Sequence, residues 1–227
     1  MIKNIVLSLS LIIMMHKAEA QKKFTPLFDG KTTNGWHAYG KTTAGTAWKI
    51  DQGVLHFDPS ATENGQGGDL VTNKEYSNFH LKLDWKVAPK SNSGIIFLIH
   101  EDPKKYKNTY ETGLEMQVLD NDGHPDGKID KHRAGNLYDL IKNEIEPVKA
   151  VGKWNTAEVI CNKGKLTLIL NGITVVETTL WDDNWKKLVA ASKFKAWTDF
   201  GTFKSGKIAL QDHGEEVWYR NIVIKEL

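Results

Sequence analysis

Phe79-His80-Leu81-Lys82-Leu83-Asp84-Trp85-Lys86-Val87 alternates apolar and polar side chains without a break. A period of two places Phe79, Leu81, Leu83, Trp85 and Val87 on one face of an extended chain and the polar residues on the other. That is a strand with one dry and one wet face, and the dry face needs a second layer to cover it. Downstream, residues 93–100 form a nearly continuous apolar run, as expected for a strand covered on both sides. Leu166, Leu168 and Leu170 alternate up to Asn171-Gly172, and residues 173–177 return, which is the strongest hairpin signal in the chain. Shorter runs at 48–50, 54–57 and 114–119, and two more at 206–211 and 217–224 around His213-Gly214, complete a strand-dominated reading. The one helical stretch is 183–192, with Trp185, Leu188 and Val189 on one stripe and Asp182 as its N-cap. Many short strands, long connections and one short helix predict an all-β, two-sheet jelly-roll sandwich.

Residues 1–20 read as a signal peptide: Lys3, an apolar run over residues 5–15, and Ala18-Glu19-Ala20 before Gln21. Residues 21–227 are then a single domain of about 207 residues, exported to the periplasm or secreted. The apolar run is too short to span a bilayer, and Gln21 stands where a lipid-anchored mature chain would begin with Cys. Loss of Lys3, Lys17 and Glu19 lowers the net charge from +2 to about +1, which gives no footprint for nucleic acid. Cys161 is the single cysteine, so no internal disulfide or Cys-based zinc site can form, and the core alone must stabilise the domain. Of the eight Trp, Trp36, Trp85 and Trp154 stand in structural contexts, whereas Trp197 is the candidate for stacking on a sugar ring.

Three clusters carry candidate chemistry. On a strand through Leu114-Glu115-Met116-Gln117-Val118, Glu115 and Gln117 share a face opposite the apolar residues. A carboxylate and an amide side by side are costly in a dry core and sensible along a wet groove. Glu115 reads as a general base or metal ligand and Gln117 as a hydroxyl holder; otherwise the pair marks an ordinary solvated face. Asp120-Asn121-Asp122-Gly123-His124-Pro125-Asp126-Gly127 and His132-Arg133 offer ligands for a divalent cation, but the spacing is not that of an EF-hand, and a plain turn uses the same residues. Arg133 offers a planar donor fork to a ligand oxygen or to a surface ion pair. In Gln211-Asp212-His213-Gly214, alternation points Gln211 and His213 the same way at a strand end. Glu101-Asp102 is a weaker acidic pair.

There is no Gly-rich phosphate loop and no Gly-x-Ser-x-Gly elbow, and Cys161 has no nearby His, so a Ser or Cys nucleophile is unsupported. The Glu-x-Asp-x-x-Glu pattern of retaining sandwich glycosidases is also missing, since this stretch carries Glu115, Gln117 and Asp120.

An ordered set of motifs resembles the 3-keto-disaccharide hydrolase domain family. It comprises Leu27-Phe28-Asp29-Gly30-Lys31 with Gly35-Trp36, Asn92-Ser93-Gly94-Ile95, Glu115-Met116-Gln117-Val118-Leu119-Asp120, and Leu137-Tyr138-Asp139. It continues with Gly152-Lys153-Trp154-Asn155, Leu170-Asn171-Gly172, residues 206–214 and Arg220-Asn221-Ile222, so it spans residues 24–227. One departure stands out: many members place an Arg a few residues after Asn-Ser-Gly-Ile, where this chain has Phe97-Leu98-Ile99-His100.

The resemblance implies a concanavalin A-like jelly roll of the lectin/glucanase type. It also implies cleavage of glycosides already oxidised to a ketone at C3, with an oligosaccharide or glycoside as the small-molecule partner. A C3 ketone acidifies the C2 hydrogen, so a modest base can form an enolate and C1 can lose its substituent by β-elimination, with or without later hydration. On this reading Glu115 and His213 are the proton-transfer pair. Gln117, Asp120, His132, Arg133, Tyr138, Trp197 and Gln211 hold the sugar, and a divalent cation is a possible aid to the ketone. The alternative is a non-catalytic, lectin-like carbohydrate-binding module on the same fold.

Overall fold

Residues 79–87 form the long central strand that their alternation predicts, with every odd-numbered residue buried. The computed structural model describes residues 23–63 and 66–227, so the leader expected over residues 1–20 lies outside the described residues. In chain order the strands are β1 (Thr25–Pro26), β2 (Trp36–Ala38), β3 (Trp48–Asp51), β4 (Val54–Phe57), β5 (Leu70–Thr72), β6 (Phe79–Val87) and β7 (Asn92–Ile99). They continue with β8 (Leu114–Leu119), β9 (Asn155–Asn162), β10 (Lys165–Leu170), β11 (Ile173–Thr179), β12 (Lys207–Leu210) and β13 (Val217–Glu226). The helix α1 spans Asp183–Ala190.

Two antiparallel sheets stack as a jelly-roll sandwich. The larger runs β11-β10-β9-β6-β13-β4-β3 with β1 added on β13, and the smaller runs β2-β5-β12-β7-β8. Leu55, Phe57, Phe79, Leu81, Leu83, Trp85 and Tyr219 from the larger sheet share one core with Leu70, Ile95, Phe97, Leu98, Met116, Val118 and Leu210 from the smaller. Leu83→Ala is expected to cost about 2–5 kcal/mol in urea unfolding, because the cavity adds to the lost burial. Lys82, one residue away on the wet face and paired with Glu158 at 3.1 Å, should cost less than about 1 kcal/mol on truncation. Equal losses at the two positions would contradict the alternation.

The Asn171-Gly172 turn closes β10 and β11 with both residues at positive φ, as a type I′ hairpin turn requires. Residues 92–99 are buried throughout, because β7 sits between β12 and β8 with material on both faces. A bulge at Leu98 (φ 58°) breaks the period, so Phe97 and Leu98 both enter the main core. Ile96 and Ile99 face the other way, with Val71 and Ala209 under Tyr39 and Tyr110. Buried Cys161 lies on β9, where burial pushes its thiol up to about 11, well away from nucleophilic use.

Some boundaries differ from the sequence reading. The expected strand over 206–211 covers only β12, since Gln211 leaves the ladder and its N–H turns to the Gly94 carbonyl at 2.9 Å. The helix stops at Ala190 because Ser192 begins a new 3₁₀ turn, Lys193–Ala196, by accepting the Phe194 N–H. Asp182 caps α1 as expected, accepting the Trp185 N–H at 2.7 Å. Among the described residues no helix is long and apolar enough to cross a membrane.

Candidate functional site

The outer face of the smaller sheet, turned away from the core, is the floor of a cavity of about 600 Å³. β7 and β8 pair so that Gly94 lies opposite Gln117 and Ile96 opposite Glu115, while Gln211 bonds to Gly94 from the other side. Gln211, Gly94 and Gln117 therefore form one row across the sheet. The Asn-Ser-Gly run of β7 organises this floor. Asn92 accepts the Gln117 Nε2–H at 3.2 Å. On the core face, the Ser93 hydroxyl donates to the Gln211 carbonyl and accepts from the Tyr219 hydroxyl of the other sheet, each at 2.7 Å. The side-chain oxygens of Gln117 and Gln211 are buried without a hydrogen-bond partner among the described residues. Two orphan acceptors on a cavity floor are what donor hydroxyls would satisfy.

Glu115 is 7% exposed, and its carboxyl accepts no hydrogen bond from any described residue. Burial pushes it up to about 8, helped by the charges of Asp69 and Asp126 and opposed by Lys193. It is therefore mostly a carboxylic acid at neutral pH. Asp69 also lines the cavity, just before β5, with Oδ1 accepting the Asp212 N–H at 2.9 Å and Oδ2 accepting the Thr109 hydroxyl. Burial raises it to about 6 against those two bonds, so it is mostly ionised at pH 7. Two carboxyl groups of one cavity, held in opposite protonation states, form a matched acid and base.

The remaining wall is aromatic and cationic. Tyr110 and Trp197 stack at 5.9 Å, and Trp197 retains 36% exposure at the opening. Tyr138 reaches the cavity because residues 135–138 run along β8 as an irregular edge, with the Tyr138 N–H on the Glu115 carbonyl and the Gly135 N–H on the Gln117 carbonyl. Its hydroxyl donates to Asp126 at 3.1 Å and accepts from the Lys193 ammonium at 2.9 Å. Desolvation pushes the half-buried phenol far above its ordinary range, so it stays neutral.

Of the residues singled out in the sequence, Glu115, Gln117, Tyr138, Trp197, Gln211 and His213 all line this cavity. Asp120, His132 and Arg133 do not. The Asp120 carboxyl is consumed by the N–H groups of Lys90, Asp122 and Gly123, so it builds a turn. Arg133 spends its fork on both Glu146 oxygens and the Gly127 carbonyl. His132 packs behind Tyr138 at 4.3 Å between rings, bonded to Asp139 at 2.8 Å, where it supports the wall from outside. Glu101 is taken up by Lys207, His37 and the Gly40 N–H. Nothing in the sequence singles out Asp69, which reads as a turn residue after Gly67-Gly68, or Lys193, which reads as an ordinary cation after a helix.

At the mouth, His124, His213 and Glu215 each offer a ligand atom within 4.8 Å of the others. His213 Nδ1 faces Glu215 at 3.1 Å, a carboxylate–histidine arrangement that leaves Nε2 for a cation. His124 fits less well: its Nδ1 accepts the Asp126 N–H at 3.1 Å, so the neutral ring carries its proton on Nε2 and has no free lone pair. The cluster is a candidate cation site with two ready donors and one that must first break a bond.

Residues 23–225 match the family described as the 3-keto-alpha-glucoside-1,2-lyase-like domain. A protein of Bacteroides thetaiotaomicron named 3-keto-disaccharide hydrolase is 37% identical, over 90% of this chain and 78% of its own length. A crystal structure of a candidate glycosyl hydrolase from Parabacteroides distasonis superposes with a TM-score of 0.83 at 33% identity, covering 90% of this chain and 94% of that one. A Bacillus subtilis protein described as having a galectin-like fold matches at a TM-score of 0.55 and 14% identity over 90% of this chain and 94% of its own, a likeness of fold alone.

Proposed function

Because the chain belongs to the 3-keto-alpha-glucoside-1,2-lyase-like family, we propose that it is an exported carbohydrate-active enzyme cleaving 3-keto-glycosides by proton abstraction at C2 and β-elimination at C1. Export rests on the leader-like residues 1–20. The observation that carries the chemistry is Glu115, a buried carboxyl without a hydrogen-bond partner among the described residues, sharing one cavity with an ionised Asp69.

The Asp69 carboxylate takes the C2 proton, and the C–H electron pair forms an enolate with the C3 ketone. The Lys193 ammonium, held by Tyr138, supplies positive charge for the enolate oxygen. The enolate pair then forms the C1–C2 double bond as the C1–O bond breaks, and Glu115 gives its proton to the departing oxygen. An alcohol and an enone result. Asp69 is now protonated and Glu115 ionised, so hydration can run through the same pair. Glu115 takes a proton from water as the oxygen adds to C1, and Asp69 returns its proton to C2. The two halves sum to hydrolysis and restore both carboxyl groups. Gln117 and Gln211 offer acceptors to the sugar hydroxyls, and the Trp197 face receives the second ring. His213, exposed at the mouth beside Glu215, serves the entrance. A divalent cation on His213 and Glu215 would polarise a carbonyl, but His124 does not complete its ligand set as it stands.

The test is incubation of a 3-keto-disaccharide and its unoxidised counterpart in deuterated water. Free sugar is expected only from the oxidised compound, with an ultraviolet-absorbing enone in transit and solvent deuterium at C2 wherever the Asp69 proton exchanges before it returns. Cleavage of the unoxidised disaccharide, or turnover of the 3-keto-disaccharide in which no enone is formed, would overturn the elimination route. Binding without turnover would favour a lectin-like module.

A further inference from the structure

Gly94 lies inside β7 among Ile95, Ile96 and Phe97, and its φ is not in the left-handed region that demands glycine. A glycine inside a strand weakens it and often marks a place where another group comes close. The approaching group here is a side chain. A Cβ built on Gly94 would lie 2.7 Å from Glu115 Cδ and 2.8 Å from its Cγ, and nearer still to Oε1. All three of its closest neighbours belong to Glu115, so the space left by the missing methyl is used by that one residue.

Register explains how. Glu115 is paired with Ile96, two positions along β7 from Gly94, and diagonal neighbours on one face are within reach of a long side chain. Glu115 therefore leans along the sheet into the neighbouring row instead of rising into the cavity. That row is the one flanked by Gln211 and Gln117.

We propose that Gly94 is a positioning residue: the side chain it lacks is the seat in which the Glu115 carboxyl lies folded against the sheet for its part in the reaction. The catalytic part of this statement rests on the proposed function, whereas the seat itself does not. Any Cβ at this position lifts the carboxyl off the sheet toward water, where it ionises more readily. The charged groups facing Glu115 are Asp69 before β5, Asp126 from the Pro125–Lys128 turn, and Lys193 after α1, and Gly94→Ala alters none of them.

Two readouts test the seat. Titration of the Glu115 carboxyl by carbon NMR in the Gly94→Ala protein should show its midpoint lowered by about one pH unit or more. In the same variant the alkaline limb of kcat/KM on a 3-keto-disaccharide should move down with it. A folded variant in which the carboxyl still titrates at the wild-type midpoint overturns the proposal. If the titration moves but no 3-keto-glycoside is ever turned over, the seat stands and the proposed reaction fails. Should Gly94→Ala fold poorly, the substitution is repeated in Glu115→Ala, where the obstruction is gone. There the methyl should be tolerated, with Tm equal to or above that of Glu115→Ala alone. An equal loss of Tm in both backgrounds would mean that something other than Glu115 occupies the space, and would overturn the proposal.

Discussion

Glu115→Gln is expected to lower kcat/KM on a 3-keto-disaccharide by about 10²–10⁴-fold, the usual worth of a general acid. Gln is nearly isosteric and neutral, so it fits the site that the protonated carboxyl occupies, and folding at pH 6 should be unaffected. Stability provides a second readout of opposite sign. The folded chain holds the Glu115 proton up to about pH 8, whereas an unfolded glutamate releases it near its ordinary value. The stability contributed by that proton is complete below the unfolded value and is lost as pH rises through about 8. Glu115→Gln should therefore lose less Tm than the wild type between pH 6 and pH 9. A variant that retains wild-type turnover, or whose Tm falls as steeply with pH, would remove Glu115 from the acid role.

How far the sequence could be read depended on whether the deciding contacts were local. The alternation of 79–87 needs only the pleat of a strand and a dry layer on one side, and Asn171-Gly172 needs only its own dihedrals, so both were legible without knowledge of the fold. Glu115 and Gln117 were legible for the same reason, because a period of two puts them on one face whatever covers it. Arg133 and Asp120 were ambiguous, since an Arg fork binds Glu146 as readily as a sugar, and an Asp three residues before a Gly closes a turn as readily as it binds a ligand. Asp69 was not legible at all. What makes it chemical is the closing of two distant loops over it, through Thr109 and the Asp212 N–H, and neither loop is near it in sequence. Gly94 stood within a recognisable motif, but its purpose appears only when Glu115, across the strand pair, is seen to fill the space beside it. The motifs carried several residues that line the cavity, and the reasons they meet there are tertiary.

Asp69→Asn is expected to cost about as much as the change at Glu115, roughly 10²–10⁴-fold in kcat/KM, and to leave a different trace in the pH profile. The wild type should show a bell with an acidic limb near 6 and an alkaline limb near 8, from an ionised Asp69 and a protonated Glu115. These limbs report the coupled pair, and the two substitutions separate them. Asn keeps one carbonyl oxygen for the Asp212 N–H, and the Thr109 hydroxyl can rotate to accept from the new amide, so the loop clamp survives while the base is gone. Residual activity of Asp69→Asn should then lack the acidic limb, just as that of Glu115→Gln lacks the alkaline one. Thr109→Val gives an intermediate case: it removes a bond that lowers the Asp69 carboxyl, so the acidic limb should move upward while the alkaline limb stays in place. Full activity in Asp69→Asn with the acidic limb intact would transfer the base to another group, of which His213 at the cavity mouth is the first to substitute. An acidic limb that moves with Thr109 and vanishes with Asp69 belongs to that carboxylate, because a bystander His would respond to neither.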